Sequence, residues 1–201
     1  MLSLISITNL SACNISKEYR CGWMTTTINS KEVQELILPA SALPEGWYIG
    51  ANAKTDAKLH EIYRNAINVY HQDYLHNNNV QDNIGAYQVL ALYGSEDCAR
   101  NEMDYFLTNF PDTDKEAPQA SWDYKSAIAD EYRFAVFFPY KPEGEPIESY
   151  ILHVLVKARY GIVISEFSLS TRLIDITPDK LKTIILALDE QFATHKELWR
   201  K

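Results

Sequence analysis

The residues best placed to do chemistry lie in two neighbouring segments near the C-terminus. Residues 150–159 and 162–169 are rich in aliphatic and β-branched side chains and read as antiparallel strands. Tyr160-Gly161 is the two-residue turn that would join them. That turn sets Ala158 opposite Val163, Val156 opposite Ser165, Val154 opposite Phe167 and Leu152 opposite Leu169, all on one core-facing side. The other side carries Arg159, Lys157, Leu155, His153 and Ile151, with Ile162, Ile164, Glu166 and Ser168 from the second strand. Glu166 then sits opposite Leu155 and diagonal to Lys157 and His153. A carboxylate between an amine and an imidazole can floor a ligand cleft. His153 and Glu166 are also the acid–base candidates if the chain is a hydrolase acting on envelope material. The same residues equally suit an exposed face with cross-strand charge pairs, each worth under about 1 kcal/mol.

Other patterns are incomplete. His60-Glu61 begins a zinc-helix motif, but Arg64 stands where its second histidine belongs. His71 and His76 share neither a helix face nor a strand face, and His71 with Asp73 reads as a surface hydrogen-bonded pair. Asp112-Thr113-Asp114 lacks the glycine and closing glutamate of a calcium loop. No GxSxG, GxGxxG or P-loop pattern is present. Neither a cofactor nor a metal site is expected. The 13 tyrosines suit core filling with hydroxyls at its edge.

Elements that would position the His153, Lys157 and Glu166 face follow from periodicity and punctuation. Val33 to Leu38 is an apolar segment closed by Pro39, and Pro44-Glu45-Gly46 is a turn before a strand from Trp47 to Ala51. Residues 56–64 suggest a short helix and 66–75 a strand, followed by a polar loop and a strand over 84–93. Ser95 caps a helix with Glu96 and Asp97 in its first turn, and its apolar stripe is Ala99, Met103, Phe106 and Leu107. Pro111 ends it. Tyr132 to Phe138 is a further strand. Thr177-Pro178 opens a long C-terminal helix with Leu181, Ile184, Ile185, Leu188 and Phe192 inward. His195, Lys196, Arg200 and Lys201 suit its negative end. The expectation is α+β: one domain over 32–201, its mainly antiparallel sheet packed against two or three helices.

The chain has 201 residues, enough for one ordinary core. Its composition, 46% hydrophobic and 23% charged, excludes disordered and collagen-like classes. A net charge of −8 repels phosphate, so nucleic acid is not an expected partner.

The first charged residue is Lys17, after an apolar-leaning run from Leu2 to Leu10. That run is short of the roughly 20 residues needed to span a bilayer, and it fits the apolar region of a secretory signal. Leu10-Ser11-Ala12-Cys13 resembles the bacterial lipobox. The resemblance implies removal of residues 1–12, lipid attachment at Cys13, and a tether over 13–31. The positively charged region that begins such signals is missing from Met1 to Leu10, which implies a start further upstream if the match holds. With Cys13 acylated, Cys21 and Cys98 are left. In an exported protein they could pair; alternatively both stay reduced, with Cys98 a small buried hydrophobe.

In the body, Leu38-Pro39, Pro44-Glu45-Gly46-Trp47, Ala129-Asp130-Glu131-Tyr132 and Ala158-Arg159-Tyr160-Gly161 resemble PsbP-like lipoproteins and some extracytoplasmic kinase sensor domains. That resemblance implies an α+β domain outside the cytoplasm and carries over no catalytic residue. Three cysteines cannot form the two disulfides expected of the sensor domains. The leading expectation is a lipid-anchored extracytoplasmic domain that binds a ligand or envelope partner without catalysis. The alternatives are the envelope hydrolase and a cytoplasmic interaction protein.

Overall fold

The computed structural model describes residues 30–50, 54–55, 59–77, 84–109, 124–141 and 143–200. The signal and the Asp112 loop lie outside these residues. So does the tether, except Ser30 and Lys31, which begin helix α1 (Ser30–Gln34). The strands are β1 (Trp47–Ile49), β2 (Lys54–Thr55), β3 (Asn68–His76), β4 (Gly85–Leu92), β5 (Glu131–Tyr140), β6 (Ile151–Tyr160) and β7 (Val163–Arg172). They form one antiparallel sheet in the order β1-β3-β4-β7-β6-β5, with β2 pairing β3 as well. The remaining helices are α2 (Glu96–Asn109), α3 (Pro178–Thr194) and α4 (Lys196–Trp199). This is the expected α+β arrangement. No helix among the described residues is long and apolar enough to cross a membrane.

Two helices cover opposite faces of the sheet. Leu181, Ile184, Ile185, Leu188 and Phe192 of α3 pack with Val154, Val156, Phe167 and Leu169. Ala99 and Met103 of α2 pack with Val89, Ala91 and Ile164 on the other side. Both helices start as their caps dictate. The Ser95 hydroxyl accepts from the Cys98 amide at 3.3 Å, and the Thr177 hydroxyl accepts from the Lys180 amide at 3.3 Å. Of the helix expected over 56–64, residues 56–58 lie outside the described residues and 59–61 make a single 3₁₀ turn, after which Asn65 adopts φ 64° before β3 begins.

Two expectations are corrected. The C-terminal helix is not continuous. It ends at Thr194, His195 leaves helical geometry, and α4 folds back. The reversal buries Trp199, whose indole N–H donates to the Phe192 carbonyl at 2.7 Å. Burying a large aromatic is worth about 2–3 kcal/mol, more than one continued helical turn supplies.

The hairpin turn is Gly161-Ile162, because Tyr160 pairs with Val163. Gly161 has φ 54°, and glycine at the first central position is what a type II′ turn requires. A Cβ there would collide with the Trp199 carbonyl oxygen. The register therefore moves by two residues. Ala158 opposes Ser165, Val156 opposes Phe167, and Lys157, not Leu155, opposes Glu166. A two-residue move leaves every side chain on its original face.

Candidate functional site

The α2 face of the sheet carries three cross-strand rows, and the three predicted ligand-face residues fall in the first and the third. Arg133, Lys157, Glu166 and Val89 form the first. Ala135, Leu155, Ser168 and Tyr87 form the second, and Phe137, His153, Ser170 and Gly85 the third. Strand alternation alone aligns them.

The first row is sealed. Lys157 Nζ lies 3.0 Å from Glu166 Oε2, with side-chain exposures of 1% and 9%. This overturns the solvated reading of the face. Glu166 also accepts from the Tyr63 hydroxyl at 2.8 Å and the Tyr87 hydroxyl at 3.4 Å. The ammonium of Lys157 lies over the rings of Phe106 and Tyr63. Burial pulls Lys157 down to about 8 against the opposing pull of Glu166 and Glu102. Burial, and then the Glu166 charge, pushes Tyr63 up, and the same causes raise Tyr87 to about 12.

Above the pair, α2 contributes a second carboxyl. Burial raises Glu102 to about 7, although Lys157 and Arg64 hold it down. Its Oε1 and the Tyr93 hydroxyl are buried and find no hydrogen-bond partner among the described residues. Sequence reading missed Glu102 and gave Tyr63 and Tyr87 only a core-filling role among the 13 tyrosines. A signal for Glu102 existed: it falls three residues after Ala99 and beside Met103, inside the apolar stripe of α2.

The third row is different. His153 does not touch Glu166. Its Nε2 is 2.8 Å from the Ser168 hydroxyl and its Nδ1 is 2.9 Å from the Ser170 hydroxyl. Phe137 stacks on the ring, with centroids 4.8 Å apart and planes at 27°. Burial lowers the imidazole pKa, against the field of Glu166, and favours the neutral ring. A neutral imidazole donates from one nitrogen and accepts at the other, so the two serines hold complementary roles. Tyr87 stands opposite Ser168 across the β4–β7 pair and donates to Glu166, so it lies between the His153–Ser168 contact and the buried pair. Beside this row a cleft of about 310 Å³ opens, lined by Asp73, Gly85, Tyr87, Ser168 and Ser170. Leu75, Ile84 and Ala86 line it as well, so the cleft sets hydroxyls and one carboxylate beside apolar side chains, a surface that can hold a neutral, hydroxyl-bearing ligand with an apolar side.

The remaining predicted residues divide. His71 and Asp73 form the expected surface pair, 3.3 Å apart. Cys98 is disulfide-bonded, not the reduced hydrophobe of the competing reading. Cys13 and Cys21 lie outside the described residues. No group of three metal-ligating side chains converges among the described residues. No protein-family model, curated protein or solved structure matches this chain.

Proposed function

We propose that this chain is a single binding domain over residues 32–201, displayed outside a bacterial cytoplasm on a lipid anchor at Cys13, with no reaction of its own. The observation that carries the binding reading is the contrast along one sheet face. Lys157 and Glu166 are closed against each other and against Tyr63, while at the far end of the same face half-buried Ser170 borders an open cleft. Charges buried in mutual contact set the shape of such a cleft rather than transfer protons in it. The cleft volume lies at the small end of the range for small-molecule sites, about 300–1,000 Å³.

The disulfide at Cys98 supports the address, since such bonds persist in oxidising compartments. In this reading Cys21 is its partner, because Cys13 carries the lipid. The test is fractionation and intact mass of the chain made in a bacterium from its full upstream region. A membrane-bound species that begins at Cys13 and carries acyl mass supports the proposal. A soluble species that retains Met1 overturns the anchor.

One observation favours the envelope-hydrolase reading, namely the serine hydroxyls at both nitrogens of His153. A serine-directed fluorophosphonate distinguishes the two. Binding without catalysis leaves Ser168 and Ser170 unlabelled, whereas an adduct at either that is lost in His153→Ala establishes the enzyme.

A further inference from the structure

We infer that the opposite face of the sheet, at the same end, holds a separate binding site for a small organic monoanion with a flat apolar body. A cavity of about 150 Å³ lies between the Pro44–Trp47 turn, the end of β7 and the start of α3. A cavity of that volume has room for a group about the size of benzene. Its floor is Ile84, Leu169 and Ile176, all buried. Trp47 and His76 form an aromatic wall, their rings 5.3 Å apart and tilted by 59°. The wall is fixed from behind by Gly46, which has φ 94° and where a Cβ would meet His76 Nε2 at 2.7 Å.

The rim supplies the charge. Asp175 is engaged by Arg172, with Nε 2.9 Å from Oδ2. Lys180 Nζ instead donates to the backbone carbonyl of Asp175 at 3.0 Å. That carbonyl is neutral, and no carboxylate among the described residues lies within ion-pair distance of the Lys180 ammonium. Lys180 sits in the first turn of α3, a helix of 17 residues, where the helix dipole adds to its positive charge. An apolar floor, an aromatic wall and the Lys180 ammonium, beside an Arg172 already paired with Asp175, together select a flat acid. Of the other charged side chains lining the cavity, Asp175 and Arg172 offset each other, and Glu45 disfavours a dianion by charge repulsion.

The probes are benzoate and its neutral counterpart, benzyl alcohol, titrated into the full chain while the Trp47 indole signal is followed by NMR. Benzoate is expected to shift that signal saturably and to bind about fivefold more tightly than the alcohol, the scale of one exposed charge contact. In Lys180→Gln, an exposed site whose change leaves the fold intact, benzoate should fall to the affinity of the alcohol while the alcohol is unchanged. Equal affinity for acid and alcohol in the unmodified chain, or no saturable shift at Trp47, overturns the inference.

Discussion

The two faces of β6 differ in what they bury, although one strand builds both. Leu152, Val154, Val156, Ala158 and Tyr160 point toward α3 into an aliphatic and aromatic core, where Tyr160 stacks on Phe192 with centroids 3.8 Å apart. His153, Lys157 and Arg159 point the other way. Most polar groups within the α3 face are matched, the buried Tyr132 hydroxyl being an exception among the described residues. Gln88 accepts from the Leu38 amide at 2.7 Å and donates to Ser165 at 3.1 Å. Asp189 accepts from the Ala127 amide at 2.8 Å and the Tyr160 hydroxyl at 3.1 Å. On the α2 face, Glu102 and Tyr93 each leave a buried oxygen unpaired among the described residues. The comparison teaches that burial stabilises the first face through packing, while the second rests on mutual compensation of charges.

Substitutions on the two faces should therefore behave differently, and the largest effects test this directly. Phe192→Ala should cost about 3–5 kcal/mol, because Tyr160 and Trp199 lose the ring they pack on. Glu166→Leu should cost a similar 3–5 kcal/mol by leaving Lys157 charged and buried. The double variant Lys157→Met with Glu166→Leu should recover most of that loss in urea unfolding. A double variant no more stable than Glu166→Leu would show that the pair is not self-compensating.

Gly161→Ala comes next, at roughly 1–2 kcal/mol for left-handed backbone alone. The approach of the Trp199 carbonyl adds to it, so thermal unfolding should show a larger loss than a glycine change at exposed Gly144.

A smaller, pH-dependent effect sharpens the contrast. The folded chain holds the Glu102 proton up to about pH 7, whereas the unfolded chain releases it near 4.5. Between those values the folded state binds more protons, so this contribution is present at low pH and is lost as pH rises toward 7. Glu102→Gln should flatten that part of the unfolding midpoint profile, measured against the unmodified chain at each pH. Thr177→Ala should cost least, about 1 kcal/mol, through loss of the α3 cap.

Parts of this arrangement were legible beforehand. Strand alternation assigned His153, Lys157 and Glu166 to one face, and the residues at Ser95 and Thr177 announced both helix starts. The register was not legible, because Tyr160-Gly161 and Gly161-Ile162 are both acceptable two-residue turns. They differ in whether glycine comes second or first, and the close approach of Trp199, nearly forty residues later, favours the latter. The same reversal of the chain broke the expected long C-terminal helix. The role of His153 was half legible: its face was correct, but its partners are Ser168 and Ser170 rather than Glu166.

What the amino-acid sequence determined by itself was local: which segments are strands, where two helices begin, and which side chains share a face. These follow from period-two alternation and from capping groups within three residues of the backbone they satisfy. Only the tertiary structure decided that the Lys157–Glu166 pair is buried and that a cleft opens beside Ser170. Burial of a strand face depends on what lies over it, and here that cover is α2 and Tyr63, brought from far earlier in the chain by the β4–β7 pairing.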